Sequence, residues 1–240
     1  MSHPGHLKPA YFLARHVYAA RVESVVILLD SKLDDYILIE SHLATNFVAL
    51  LSDGAALHHH RSRSDEFQSL VEELCDRSLI TSDLCCGKPL EFLDMIANGL
   101  EIPGPRIDAL PKIRLHDITA MAAAVIRAFF LLKIRDIHAA IQYVRKLQTR
   151  GLSHRSSARD PSELVEIYHR VRPIFYSSKD QCLFNSLVLI IFLAKHSIYP
   201  SWCFGVKINP FLAHCWVEDE QWLYNDQYMR TYRYTPIMRI

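Results

Sequence analysis

Residues 181–196 read QCLFNSLVLIIFLAKH and place one cysteine at the head of a long apolar run. The run predicts a buried helix, and Cys182 then lies in its first turn. Ser178 or Asp180 can cap this helix, and Ser178 with Gln181 fits a capping box. The partial positive charge at a helix N-terminus stabilises a thiolate, so Cys182 is a candidate nucleophile. A buried, inert core cysteine is the alternative interpretation.

A second polar pattern lies in residues 213–227, which read AHCWVEDEQWLYNDQ. The alternation predicts a hairpin with its loop at Asp219–Gln221, and in that register His214 faces Asp226. Paired residues of an antiparallel ladder point to the same face, with Cβ atoms about 5 Å apart. The carboxylate would hold one ring nitrogen and leave the other for a thiol. The alternative is a solvated pair on an exposed face, and a two-residue turn would break the predicted pairing.

The two patterns together supply the parts of one catalytic site. Cys182 is the candidate nucleophile, His214 the candidate base and Asp226 the residue that orients the base. Each lies in suitable predicted local structure, and the three placements are independent. This combination is typical of nucleophilic acyl chemistry.

Composition limits the class of protein. The chain has 240 residues, of which half are hydrophobic and only 7 are glycine, so we expect a packed, helix-rich protein of one large or two small domains. A net charge of +1 argues against nucleic acid as the main partner. The N-terminus lacks a signal-peptide pattern, and the longest apolar run, Leu187–Ala194, is shorter than a membrane span. We therefore expect a cytoplasmic protein with free thiols and no membrane contact.

No metal site is expected. Cys85 and Cys86 are adjacent, but no second Cys or His pair follows at zinc spacing, so a structural role is predicted. His58–His60 are three adjacent histidines, which rarely converge on one ion, and a solvated loop is the preferred interpretation.

The first part of the chain reads as a small α+β unit. Val25–Leu29 and Tyr36–Glu40 flank the turn sequence DSKLDD and predict a hairpin. Helices are predicted over residues 41–54 and 65–79 from their apolar spacing. The stretch LEIPGPRIDALP, residues 100–111, carries three prolines and a glycine and is the candidate domain boundary.

Helices dominate after this boundary, and short strands follow Pro200. Asp117 is a candidate cap for the helix that contains AMAAAVIRAFFLLK, and Asp136 for a helix that ends near Gly151. Asp160 precedes a proline at the first helical position, with Glu163 completing a capping-box pattern. The fold class predicted for the whole chain is therefore α+β.

The stretch from Cys182 to Asp226 resembles the lasso-peptide biosynthesis B protein, a family of transglutaminase-like cysteine peptidases. One position departs from the pattern: Cys215 stands where a small residue such as alanine is more usual. It should point away from His214 on a strand, and we expect no role for it. The shared landmarks are Cys182, Gly205 and Val206, Pro210 and Phe211, His214, Trp216–Glu218, Asn225 and Asp226.

The N-terminal part resembles the PqqD-like recognition element of the same family, a winged-helix-like module. The resemblance implies that a leader peptide adds to the strand Tyr36–Glu40 and packs against the helix Asp65–Arg77. It divides the chain into a recognition element, residues 1–99, and a peptidase domain of helices and a short antiparallel sheet, residues 111–240. For Phe67, Leu70 and Leu74 on the helix, the alternative interpretation is that they simply belong to the apolar core. The candidate leader contacts are Tyr36, Leu38, Glu40, Phe67, Leu70 and Leu74.

The family resemblance implies a function and partners. The protein would bind and cleave a ribosomally made lasso precursor, freeing the core N-terminal amine for a partner cyclase that resembles asparagine synthetase. No cofactor is expected in this chain, which lacks a GxxxxGK[ST] phosphate loop, and any need for ATP is assigned to the cyclase. Two alternatives remain: transfer of an acyl group to an amine, as in transglutaminases, and a non-catalytic adaptor that delivers the precursor.

Overall fold

The structure of the protein is a computed structural model that describes residues 11–52, 65–95, 100–102, 111–151, 159–176 and 182–240. The chain forms two compact units, Met1–Leu93 and Asp94–Ile240. Both combine helices with antiparallel strands, so the chain is α+β as the sequence predicts. The predicted loop His58–His60, the candidate cap residues of the Cys182 helix and most of the Pro-rich stretch lie outside the described residues.

Three antiparallel strands form the main sheet of the first unit. They are β2 (Val17–Val22), β3 (Val25–Asp30) and β4 (Asp35–Ile39), and they pair in that order. The predicted hairpin is β3–β4, with Asp30 opposite Asp35. A second small sheet is made of β1 (Phe12–Ala14), β5 (Ile80–Thr81) and β6 (Gly87–Lys88).

Two helices cover this unit, α1 (Ser41–Ser52) and α2 (Asp65–Asp76). Phe47, Leu50 and Leu51 of α1 are buried at the spacing that the sequence pattern predicts. They share one apolar core with side chains from β2 and β3 and with Phe67 and Leu74 of α2.

The second unit begins with a short strand, β7 (Leu100–Glu101), and continues with helices α3 (Leu115–Phe129), α4 (Ile137–Gly151) and α5 (Pro161–Phe175). A π-helical turn, Phe130–Arg135, joins α3 to α4. Asp136 and Asp160 accept backbone N–H bonds at the starts of α4 and α5, as their sequence patterns predict. Arg114, not Asp117, holds the cap position of α3, so that cap prediction is wrong.

Asp117 instead lies in the first turn of α3, where its carboxylate accepts from the Arg114 backbone N–H at 2.8 Å. The side chain is fully buried, and Arg159 bonds to its second oxygen at 2.8 Å. Arg159 also bonds to Glu163 at 2.6 Å. The carboxylate of Glu163 therefore binds this arginine. Together the three side chains link the start of α3 to the start of α5.

The centre of the second unit is helix α6 (Cys182–Lys195), in which every residue from Ser186 to Leu193 is buried. Helix α6 packs against α3 and against a five-stranded sheet. The sheet has the order β11–β8–β9–β10–β7 and is antiparallel except at the β10–β7 pair. Its remaining elements are β8 (Ser201–Lys207), β9 (Leu212–Glu218), β10 (Trp222–Leu223), the short helix α7 (Tyr228–Thr231) and β11 (Thr235–Arg239).

Strands β7 and β11 are absent from the sequence interpretation. Leu100–Glu101 falls in the Pro-rich stretch taken as a boundary, yet it pairs in parallel with Trp222–Leu223 of the second unit. The division between the two compact units falls between Leu93 and Asp94. The functional division into residues 1–99 and 111–240 stays a prediction.

The continuous helical segment Leu115–Arg135 is, by length and composition alone, apolar enough to cross a membrane. An 18-residue window of this segment has a mean hydropathy of 1.6, and a third of that window is buried. This is weak evidence, because core helices of soluble proteins meet the same criterion. The expectation that the protein makes no membrane contact stays a prediction.

Candidate active site

The head of α6 carries the predicted nucleophile. Cys182 is the first residue of the helix and is partly buried. The hydroxyl of Tyr168 on α5 donates to the Asn185 carbonyl at 3.0 Å and also bonds to the Tyr176 hydroxyl at 2.8 Å. These bonds fix the first turn of α6 against α5. The thiol therefore lies on a rigid support at a helix N-terminus, where the helix dipole favours its negative form.

Strand β9 presents the predicted base. His214 lies opposite Gly205 of β8, and its ring is only 8% exposed. The ring stacks beside Trp216 with centroids 6.1 Å apart, and Tyr234 lies at 5.2 Å. A Cβ atom at Gly205 would lie 2.8 Å from the Trp216 ring and 2.9 Å from Tyr234. The glycine thus makes room for the aromatic wall behind the imidazole.

A buried ionic cluster holds that wall in place. The Trp216 indole N–H donates to Glu218 at 2.8 Å, and the Cys203 thiol donates to the same carboxylate at 2.7 Å. Arg239 of β11 bonds to Glu218 at 3.1 Å. Because the buried carboxylate has three donors, it is fully compensated and fixes the orientation of the indole. The sequence interpretation did not identify this cluster, since its members are distant along the chain.

The predicted hairpin register is wrong by one residue, although the histidine and aspartate still meet. Leu223 pairs with Glu218, and the Asp219 N–H donates to the Trp222 carbonyl, so the loop has two residues rather than three. In a continued ladder Asp226 would then lie opposite Cys215. However, β10 ends at Leu223, and the chain bends out of the ladder before Asp226. The Asp226 carboxylate reaches the Nε2 atom of His214 across this bend.

Asn225 takes the place of the missing strand residues. Its side-chain carbonyl accepts from the Val217 N–H at 2.8 Å, and its amide donates to the Ser186 hydroxyl of α6 at 2.9 Å. One side chain therefore ties β9, α6 and the Asp226 bend together. The sequence interpretation noted Asn225 only as a family landmark, and its signal was its position directly before Asp226.

The three predicted residues come together in a charged arrangement. The Cys182 thiol bonds to Cys215 and to His214, and these contacts outweigh burial and lower the pKa of Cys182 to about 4. Burial lowers the pKa of His214, but its bonds to Asp226 and Cys182 raise it overall to about 9. Between these values the pair is a thiolate and an imidazolium. Since Asp226 engages Nε2, the Nδ1 atom is left for the thiolate.

Cys215 has surroundings that the sequence did not predict. The sequence interpretation assigned it no role, because neighbours on a strand face opposite sides of the sheet. It does face away from the His214 side, but that direction is toward α6, and it contacts Cys182 there. Both cysteines line the same cavity.

The cavity at this site has a volume of about 660 Å³. Its lining includes Cys182, His214 and Asp226 together with two arginines, Arg172 of α5 and Arg230 of α7. A neighbouring cavity of about 530 Å³ shares Asp226 and Arg230 and extends toward β7. Cys182 therefore lies in the wall of a cavity rather than in the closed core.

The candidate leader contacts have different surroundings. On β4, Leu38 is half exposed, Tyr36 is partly exposed and Glu40 follows the end of the strand at the surface. Phe67 and Leu74 of α2 are fully buried in the apolar core of the first unit. These two side chains therefore occupy the core position that the sequence left open as the alternative. Leu70 is partly buried and packs against the same core.

The adjacent cysteines of the first unit lie at its surface. Cys85 and Cys86 are both exposed, and the Cys85 N–H donates to the Asp83 carboxylate at 2.8 Å. Within the described ranges, no group of three or more histidine, cysteine or acidic side chains is arranged to hold a metal ion. The expectation that the chain has no metal site stays a prediction.

A thiolate at a helix head, paired with an imidazolium that a carboxylate orients, defines a class of proteins that perform acyl chemistry on cysteine. Residues 111–239 match the transglutaminase-like superfamily, and the match covers more than half of the chain. The chain belongs to the transglutaminase-like superfamily, which includes cysteine peptidases and acyl transferases. No curated protein and no solved structure matches the chain significantly.

Proposed function

We propose that this protein is a cysteine peptidase that removes the leader from a ribosomally synthesised lasso precursor peptide. The observation that carries the proposal is the contact of Cys182 with His214, and of His214 with Asp226, in an open cavity. A thiolate already formed in the resting protein needs no proton transfer before it attacks a carbonyl carbon.

In the proposed mechanism the Cys182 thiolate attacks the scissile carbonyl of the precursor. The backbone N–H at the head of α6 donates to the resulting oxyanion. His214 gives its Nδ1 proton to the leaving amine, which departs as the new N-terminus of the core peptide. A water molecule then attacks the thioester, His214 accepts its proton, and the leader leaves as a carboxylate while the thiolate is restored.

Asp226 has a supporting role in this scheme. Its carboxylate holds the Nε2 side of the ring, which directs Nδ1 toward the sulfur and stabilises the positive imidazolium. The aromatic wall of Trp216 and Tyr234 packs beside the same ring and restricts its rotation.

The lasso precursor is proposed as substrate on two grounds. The first is the dense set of family landmarks between Cys182 and Asp226. The second is the first unit, which in the described part of the chain has β4 as an edge strand with Leu38 half exposed. An edge strand offers backbone N–H and C=O groups to an extended peptide, which supports leader binding by strand addition.

The proposed setting is the cytoplasm, with a partner cyclase that resembles asparagine synthetase. Leader removal exposes the α-amine of the core peptide, and the cyclase would join this amine to a side-chain carboxyl group. That step requires activation of the carboxyl group, so any use of ATP is placed on the cyclase.

The test is incubation of the purified chain with a synthetic precursor, followed by mass spectrometry. We expect free leader and free core peptide from the native protein, and no cleavage by Cys182→Ala or His214→Ala. Cys86→Ala is the matched control, because Cys86 is an exposed cysteine of the first unit. The Cys86→Ala protein should cleave the precursor normally. Full cleavage by either site variant would refute the triad.

The same experiment separates the alternatives. An adduct in which the leader is joined to an added amine would show acyl transfer rather than hydrolysis. Intact precursor with the native protein, together with tight precursor binding, would identify an adaptor. Both classes of outcome are read from product mass and one binding measurement.

A further inference from the structure

We propose that Cys215 is a positioning residue whose thiol donates a hydrogen bond to the Cys182 thiolate. The inference deepens the function proposed above and rests on it, because it concerns the same nucleophile. The effect should be to hold the sulfur at the head of α6 and to stabilise its negative charge.

The first support is the open edge of β9. The Val217 carbonyl accepts from the Tyr224 N–H, so the backbone of Val217 faces β10. Backbone directions alternate along a strand, so Cys215 faces the same side. Because β10 contains only Trp222–Leu223, no described strand pairs with Cys215 on this side, although β8 pairs with it on the other. The backbone of Cys215 faces α6 instead, where its carbonyl accepts from the Ser186 hydroxyl at 3.4 Å.

The second support is the position of the Cys215 sulfur. It lies 3.9 Å from the Ser186 hydroxyl, a long contact even for sulfur. That hydroxyl already donates to the Cys215 carbonyl and accepts from Asn225. Ser186 lies one helical turn after Cys182 on the same face of α6, and Cys182 and Cys215 line the same cavity. A charged acceptor forms the stronger bond, so the thiol hydrogen turns to Cys182 when that residue is a thiolate.

The third support is the protonation of Cys215 itself. Burial, followed by the bond to Cys182 and its charge, raises the pKa of Cys215 well above the ordinary value of a thiol. Cys215 therefore keeps its hydrogen and can only be the donor of the pair. An alanine at this position would have no thiol hydrogen to donate.

The experiment measures the rate of Cys182 alkylation by iodoacetamide as a function of pH, without any peptide substrate. Trypsin places Cys182 in residues 180–195 and Cys215 in residues 208–230, so mass spectrometry follows each thiol separately. We expect Cys215→Ala to raise the pH midpoint of Cys182 alkylation by about one unit, which lowers the rate about tenfold below that midpoint. Cys215→Ser should retain most of the native behaviour, because its hydroxyl still donates.

The control is Cys75→Ser, which changes a partly buried thiol of the first unit that does not line the Cys182 cavity. It should leave the Cys182 midpoint unchanged, as should any change that acts only through stability. Cys215→Val keeps the volume without a donor, and it replaces the alanine variant if that protein does not fold.

An unchanged midpoint in folded Cys215→Ala or Cys215→Val would overturn the proposal, and so would equal shifts for serine and alanine. The alkylation profile needs no precursor, so this result is independent of whether the protein cleaves a lasso leader.

Discussion

Replacing Asp226 by asparagine should lower the pH above which the protein loses its activity. The difference between the ordinary histidine pKa of 6.5 and the value of about 9 for His214 corresponds to about 3 kcal/mol in favour of the imidazolium. Both side chains are nearly buried, so little of this energy is lost to solvent screening. Asp226→Asn removes the largest contribution that raises the pKa of His214, and burial then acts against the charge.

The direction of this pH dependence follows from the role of the imidazolium. Because His214 must carry a proton to the leaving amine, activity is present below its pKa and is lost as the pH rises through it. The native protein should keep its activity up to about pH 9. If the pKa of the variant returns to about 6.5, only about 3% of its imidazole is protonated at about pH 8, against about 90% in the native protein.

The assay is kcat/KM for precursor cleavage across this range, which reports the pKa values of the free enzyme. A second readout, the NMR titration of the His214 ring, uses no substrate and is assigned by comparison with His214→Gln. Glu220→Gln is the matched control, since it removes an exposed carboxylate from the same hairpin. An alkaline limit that stays near pH 9 in folded Asp226→Asn would refute the reasoning.

Three further changes should have defined effects. Asn225→Ala leaves the Val217 N–H without its acceptor, and we expect a loss of about 1–3 kcal/mol in the free energy of unfolding by urea denaturation, with Asn225→Asp losing less. Gly205→Ala should cost about 1–3 kcal/mol in the same measurement, because its Cβ would overlap the aromatic wall beside the imidazole. Leu38→Asp should weaken the binding of labelled leader to the full chain in fluorescence anisotropy without lowering the melting temperature. Leu33→Asp, in the adjacent turn, should leave leader binding unchanged. Equal binding by the two leucine variants would contradict strand addition at β4.

Local chemistry made several elements predictable. The helix caps at Asp136 and Asp160 depend on residues within one turn of each other, so the sequence alone contains the whole interaction. The hairpin of β3 and β4 is similar, because two apolar runs and a polar turn are contiguous. The buried face of α1 follows from its apolar spacing in the same way.

Predictions that needed a partner from elsewhere in the chain were less successful. Asp117 resembles a cap in sequence, but its carboxylate is committed to the Arg114 backbone and to Arg159, forty-two residues away. Strand β11 escaped notice because a short strand gains its stability from the ladder with β8. The same holds for β7, which exists only through its pairing with β10.

For the candidate site, the sequence by itself identified the three candidate residues that the structure brings together. An apolar helix with a cysteine at its head, and a histidine and an aspartate on either side of a hairpin turn, are local patterns with a physical meaning. Only the tertiary structure decided how these residues meet. The two-residue turn shifts the register, the end of β10 at Leu223 lets Asp226 bend back to His214, and the open edge of β9 leaves the Cys215 carbonyl to the Ser186 hydroxyl of α6. These contacts depend on where backbone hydrogen bonds stop, and that is set by packing between distant segments rather than by neighbours in the chain.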